Sequence, residues 1–390
     1  MSLSAGSRIG IAGAAVVGVA FGMARYAYGL TLPDIRQDLQ LSEPVLGLIA
    51  SATFSGYLAA LLLVGPLAAR RGSRAPTTVG GICGALGAII VAMAHAPWIL
   101  AAGAVLAGSA GGWVWAPYSD IVTGIVARQQ QPRALAIITT GTGGGLVVLG
   151  GLSALAVLGS WRLVWVGVAL AAATAAVVNL CLVPRTVPHA HSDGRRGALS
   201  LARALPVPIC YSVVYFGVII VYFTYAADVL GSGSLPSAAV PALYALVGIS
   251  GLVAVATGSM ATRAGSGRLA GLCLVAVGVA SALLGLGGDS LAATAVSACI
   301  FGVGYMTGSA VLAVWTAELI PARAGAAFTC CLIVGAVSSA VAPAIAGAAL
   351  ASVGLSPLLV LTAAVSLLSG MALDLRRRWR GDVRPSDGIC

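Results

Sequence analysis

The sequence predicts an all-α polytopic membrane protein, with about twelve transmembrane helices in two pseudo-symmetric bundles of six. Three observations lead there. Hydrophobic residues make up 59% of the 390 residues and charged ones only 8%, where soluble domains carry roughly 25%. Much of the surface must therefore face lipid. Apolar runs of about 20 residues, the length that crosses a hydrocarbon core, recur along the whole chain. The basic residues gather in every second break between those runs, as they do when positive loops stay on the cytoplasmic side.

The runs are continuous rather than alternating, which excludes the strands of a transmembrane barrel. In order they give spans at 9–32, 44–67, 76–94, 98–122, 134–157, 163–183, 207–229, 238–260, 269–287, 291–315, 325–348 and 356–375. The first run is too long for the apolar core of a signal peptide and is preceded by one Arg, Arg8, so it reads as an uncleaved helix. The 52 glycines sit inside the apolar runs, where small residues let helix backbones approach.

With the N-terminus in the cytoplasm, the cytoplasmic side receives Arg8, Arg70, Arg71, Arg74, Arg128, Arg133, Arg185, Arg195, Arg196, Arg203, Arg263, Arg268, Arg323, Arg376, Arg377, Arg378, Arg380 and Arg384. Arg36 and Arg162 fall outside, and Arg25 lies within the first span. Both termini are then cytoplasmic and the chain sits in a plasma (inner) membrane. The longest polar break, Pro184 to Ala204, holds His189, His191, Ser192, Asp193, Gly194, Arg195 and Arg196. It divides the chain into an N-terminal bundle at 1–183, a cytoplasmic linker at 184–206, a C-terminal bundle at 207–375 and a cytoplasmic tail at 376–390.

Composition also removes function classes. The net charge of +10 comes from short Arg clusters between apolar spans, with no basic aromatic-bearing domain to hold a strand, so nucleic acid is not a partner. No Lys is present, so no G-x-x-x-x-G-K-[ST] loop exists and ATP cannot drive the chain from within. Cys83, Cys181, Cys210, Cys273, Cys299, Cys330, Cys331 and Cys390 show no metal spacing. The two linker His lack a third ligand nearby, so neither metal nor cofactor is expected. All three His, including His95, lie in loops, which leaves an intramembrane enzyme without a catalytic constellation.

Ionisable groups inside a membrane are costly and so mark functional positions. Arg25 qualifies, followed on the same helix by Tyr26 and Tyr28. Asp34 and Asp228 read as interfacial helix ends, and Asp120, near the inner end of span four, is the best carboxylate for a proton or gating role. No mid-span Asp or Glu is visible.

One stretch repeats between the halves. After span two the chain reads Gly65-Pro-Leu-Ala68-Ala69-Arg70-Arg71-Gly72-Ser73-Arg74, and after span eight Gly258-Ser-Met-Ala261-Thr262-Arg263-Ala264-Gly265-Ser266-Gly267-Arg268. Both fit G-x-x-A-x-R-x-G followed by Arg. Each Gly can support a tight turn or a close helix contact, and each Arg can bond the carbonyl end of a neighbouring helix. Parallel repeats of six spans build one common transporter architecture.

The first loop resembles the signature G-x-L-A-D-R-x-G-R-[KR] of the major facilitator superfamily, with Gly65, Leu67, Ala68, Arg70, Gly72 and Arg74 in place and Ala69 where that family has Asp. Ser160-Trp161-Arg162 is similar to its G-W-R entry to the sixth helix, and Glu318-Leu-Ile-Pro321-Ala-Arg323-Ala-Gly325 to its link between helices ten and eleven. Gly141, Gly143, Gly144, Gly145, Gly150 and Gly151 resemble the Gly-rich fifth helix of its antiporters without their Pro, and Ala104 stands near the position of a fourth-helix Arg.

The resemblance implies a central cavity lined by spans one, four, seven and ten. Candidate substrate residues are Arg25, Tyr28, Trp113, Tyr215, Tyr222 and Tyr305. Candidate gating residues are Gly65, Arg70, Gly72, Arg74, Asp120, Gly258, Arg263, Glu318 and Arg323. The expected function is secondary transport of a small organic molecule, anionic or amphipathic, by alternating access with proton coupling in a monomer. Efflux of neutral or cationic compounds by antiport, and a non-transporting sensor or scaffold of the same architecture, are the alternatives.

Overall fold

The computed structural model describes residues 4–185, 201–232, 234–236 and 239–381; at 132, 155–158, 232, 322 and 375–381 it gives the backbone alone. Among them twelve helices are long and apolar enough to span a membrane. These are α1 (Ala5–Leu39), α2 (Glu43–Arg71), α3 (Arg74–Ala92), α4 (Pro97–Ile125), α5 (Arg128–Ala154), α6 (Trp161–Leu182), α7 (Pro206–Gly231), α8 (Ala239–Ala264), α9 (Ser266–Gly287), α10 (Leu291–Leu319), α11 (Ala324–Val353) and α12 (Leu355–Asp374). No strand occurs among the described residues. Linker residues His189 and His191 lie outside them, as does most of the tail, although the last helix continues to Gly381.

Several helices outrun the predicted spans. The first was expected at 9–32 and runs to Leu39, through Pro33, Asp34, Arg36 and Asp38. Hydropathy marks where lipid stops, whereas a helix goes on while its carbonyls find donors. Three helices change pitch inside the membrane: α1 is a π-helix over Gly18–Ala24, and α4 and α8 tighten to 3₁₀ over Ala110–Trp113 and Gly251–Ala256. Irregular turns of this kind cluster at functional positions.

Each glycine of the repeated motif was expected to support a tight turn or a close helix contact. Gly65 and Gly258 do neither: both lie within helices with open space where a side chain would stand. The turns are made by the later glycines, Gly72 (φ 77°, ψ 162°) and Gly265 (φ 82°, ψ 137°). Their N–H groups close on Ala68 O and Ala261 O at 2.8 Å each. A side chain is strained in that left-handed region, at about 1–3 kcal/mol. Gly72→Ala and Gly265→Ala should therefore each lower stability by about 1–3 kcal/mol, while Gly65→Ala and Gly258→Ala stay within about 0.5 kcal/mol. Thermal unfolding in detergent checks this.

Packing is by small residues. Within the first six helices α3 lies against α6 and α4, α2 against α4, and α1 against α5; within the last six α9 lies against α12 and α10, and α7 against α11. Three pairs make the broadest contacts between the two sets: α2 with α11, α5 with α8, and α1 with α7. Gly47 and Gly347 allow the first of these, since a Cβ on either would stand 3.0 or 2.9 Å from the other's Cα. Lipid supplies no hydrophobic drive between helices, so such close backbone contact is what holds them.

Candidate functional site

Arg25 sits where α1 is irregular. The π segment Gly18–Ala24 ends at Arg25, Tyr26 adopts φ −114° and ψ −6°, and the α-helix resumes at Ala27. This break turns Arg25 and Tyr26 to different neighbours. The Arg25 side chain is 6% exposed, and its guanidinium carbon lies 4.6 Å from the ring centre of Tyr57, 5.1 Å from Phe54, 5.6 Å from Phe21 and 5.7 Å from Tyr26. Four ring faces stabilise a buried cation electrostatically, yet none removes its charge. Its Nε is buried with no hydrogen-bond partner, and no carboxylate pairs with it among the described residues. A cavity of about 10 Å³ opens beside it, lined by Tyr28, Ala50, Thr53, Phe54, Phe223 and Thr224 among others. In this conformation the space holds about one water.

Tyr26 carries the site across to the other half. Its ring stacks on Phe223 at 3.8 Å, and its hydroxyl donates to the Tyr305 hydroxyl at 2.8 Å. The Tyr215 hydroxyl donates to the Tyr305 carbonyl and lies 3.1 Å from Ser309 Oγ. Tyr222 stacks on Phe301 at 3.7 Å and bonds Ser297 Oγ at 2.9 Å. Arg25, Tyr305 and Tyr215 thus form one connected cluster through Tyr26, with Tyr222 joined through Phe223 and Phe301.

Three expectations need correction. Tyr28 and Tyr222 were expected among the substrate residues, but their hydroxyls are bonded elsewhere: Tyr28 donates to Leu46 O at 2.9 Å and Tyr222 is committed to Ser297. Tyr28 still borders the cavity. Trp113 lies against Gly80 of α3, and it is Trp115 that reaches the Arg25 surroundings, edge-on to Phe21 at 6.4 Å. The helix beside Arg25 is α2 rather than α4. Phe54 and Tyr57 were overlooked although their spacing of three places them on one helix face.

Asp228 is the third correction. Read as an interfacial helix end, it is 7% exposed and clasped by Arg36 through both oxygens, one contact at 2.6 Å. Arg36 also bonds Glu43, with contacts of 2.8 and 3.0 Å. One Arg from α1 therefore holds carboxylates from α2 and α7, closing the Arg-poor end of the molecule across the two halves. A second cluster there stays within one half: Arg162 meets Asp38 at 2.6 Å and Ala94 O at 2.8 Å, and Trp161 donates to Asp38 at 3.2 Å.

At the Arg-rich end the repeat is visible in side chains. Ser73 donates to Asp120 at 3.4 Å and Ser266 to Glu318 at 2.7 Å, each Ser following its turn glycine and each carboxylate near the end of the fourth helix of its half. Arg74 donates to Leu180 O at 2.7 Å and Arg268 lies 3.7 Å from Asp374, so each loop is tied to the last helix of its half. Arg70 and Arg263 are exposed at the ends of α2 and α8, and Arg323 lies in the short turn before α11.

The fold has solved counterparts. The peptide transporter POT in complex with sulfate superposes with a TM-score of 0.78, at 14% identity over 98% of this chain and 96% of that one. The nucleoside transporter NupG gives 0.75, at 13% identity over 96% and 100%. The human organic anion transporter MFSD10 (TETRAN) gives 0.69, at 16% identity over 95% and 100%. At these identities the likeness is one of fold. Among curated proteins none matches this chain in sequence. The family model of the Major Facilitator Superfamily matches residues 14–328, and with its twelve spanning helices the chain belongs to that superfamily.

Proposed function

We propose that the protein is a secondary transporter of a small organic anion, worked by alternating access between its two six-helix halves, 1–183 and 207–375. The observation that carries this reading is Arg25: a guanidinium buried near the middle of α1 among four aromatic rings, without a counter-charge among the described residues. A charge so placed is costly, and a substrate that arrives with a planar anionic group relieves the cost while its apolar body meets the rings. Tyr26, Phe223, Tyr305, Tyr215 and Tyr222 supply those surfaces from the other side.

In this reading the Arg36–Asp228–Glu43 cluster is the lock of one end, and Ser73–Asp120 and Ser266–Glu318 steady the helices of the other. Among the described residues no Asp or Glu lies beside Arg25 to take a proton with the substrate, so the expected proton coupling has no such residue at the centre.

The test is flux. Proteoliposomes should take up benzenesulfonate and exclude both benzyltrimethylammonium, a cation of similar size, and neutral benzenesulfonamide. Uptake of the cation instead would favour the efflux alternative, and flux of none of the probes a sensor or scaffold. The Arg distribution supports cytoplasmic termini in a plasma membrane. On intact cells an impermeant maleimide should then label His95→Cys and leave Thr262→Cys unlabelled; the reverse would invert the topology.

A further inference from the structure

The coupling mechanism follows from where charges are and are not. Among the described residues the acidic side chains all lie near helix ends. Asp34, Asp38, Glu43, Asp228 and Asp289 are at the Arg-poor end, and Asp120, Glu318 and Asp374 at the Arg-rich end. In the C-terminal half, Asp228 is already held by Arg36. Arg25 is the one Arg, Lys, His, Asp or Glu near the middle of a described span. A guanidinium does not lose its proton in a protein, so the central charge stays at +1 under all conditions the protein meets.

Alternating access takes the site from one open end to the other through a state with both ends shut. In the open states water solvates Arg25. In the shut state it does not, and the neighbours left to a buried guanidinium are those of Arg25 at 6% exposure: Phe21, Tyr26, Phe54 and Tyr57 on the guanidinium, and an Nε with no acceptor. An unneutralised buried charge is strongly penalised, whereas a neutral, hydrogen-bonded pair is far less so. A single negative charge on Arg25 lowers that barrier. A dianion would leave an excess charge with no second cation near it. After unloading, no Asp or Glu among the described residues lies near Arg25 to restore neutrality by giving up a proton, whereas another anion does.

Resting on the reading of Arg25 as the substrate's charge anchor, we infer that the protein is an obligatory exchanger of organic monoanions. It changes sides only while one negative charge sits on Arg25, and so swaps an anion from one side for an anion from the other. No proton travels with either.

Proteoliposomes preloaded with unlabelled benzenesulfonate or with benzenesulfonamide, then given labelled benzenesulfonate outside, read this directly. Uptake should be faster in the anion-loaded vesicles by about tenfold or more, as expected when reorientation of the bare cation is the barrier. An acid-outside pH gradient imposed on the benzenesulfonamide-loaded vesicles should leave their slow rate unchanged. Equal rates in the two preparations, or rescue by the pH gradient, overturn exchange and favour uniport or proton symport. Failure of the underlying reading looks different: the purified protein would not bind labelled benzenesulfonate at equilibrium, or Arg25→Met would bind it equally well. Binding that depends on Arg25 together with equal fluxes would therefore sink the exchange inference and leave the anion site standing.

Discussion

Arg25→Met should abolish uptake while leaving the protein as stable as the wild type or more so. Exchange of a buried charge for an apolar side chain of similar volume is often neutral or stabilising, and Met keeps much of the contact with Phe21, Phe54 and Tyr57. The loss falls on binding. Each hydrogen bond from a guanidinium to an anionic group contributes about 1.5–3 kcal/mol, so losing a bidentate pair weakens binding on the order of a hundredfold or more. Arg25→Lys keeps the charge and loses the planar fork, so it should bind about tenfold more weakly and still transport. Arg25→Ala should also stop transport, with some loss of stability from the space it leaves. Uptake paired with melting of the detergent-purified variants separates these outcomes. Normal transport by Arg25→Met would show that the charge is structural.

Arg36→Ala should open the Arg-poor end. It frees Asp228 and Glu43 together and leaves two carboxylates facing each other where one cation held both. Removing one partner of a buried charge pair costs about 2–5 kcal/mol. Arg36 is 26% exposed, so the lower end of that range applies, enough to shift the balance of states by more than tenfold. Ala50 lines the cavity beside Arg25. Labelling of Ala50→Cys by an impermeant maleimide should accelerate accordingly when Arg36→Ala is added. Asp228→Asn should produce a smaller acceleration, because Glu43 still holds Arg36. The swap Arg36→Asp with Asp228→Arg should slow labelling again. Labelling indifferent to all three changes would mean that the glycine contacts of α2 and α11, and not this cluster, keep the end shut.

The contrast between what the sequence disclosed and what it hid follows from the range of the forces involved. Twelve spans were legible because apolar length is a local property that lipid enforces on each helix separately. The repeat was legible because Gly72 and Gly265 sit in a motif whose spacing survives in both halves, and they are the glycines that make the turns. Arg25 stood out because a charge within an apolar run is an anomaly in one dimension. What surrounds it did not, since Phe54 and Tyr57 belong to a span that reads as ordinary hydrophobic sequence and reach Arg25 only by helix packing. The Arg36–Asp228 pair was hidden for the same reason. Its members lie 192 residues apart, each reading alone as an interfacial charge. The π segment of α1 left Gly18 and Gly22 as its trace, but small residues in a membrane helix more often mean close packing, which they also provide here against Gly141 and Gly145.

The claim on which the rest depends is that Arg25 binds the negative charge of the substrate. Equilibrium melting of the purified wild type and of Arg25→Met, each with benzenesulfonate and with benzenesulfonamide, bears on it most directly, because a ligand held by the folded state raises the melting temperature in proportion to its occupancy. The account predicts a rise for wild type with benzenesulfonate, none with benzenesulfonamide, and none for Arg25→Met with either. Equal rises with the charged and neutral probes, or a rise undiminished in Arg25→Met, would contradict it.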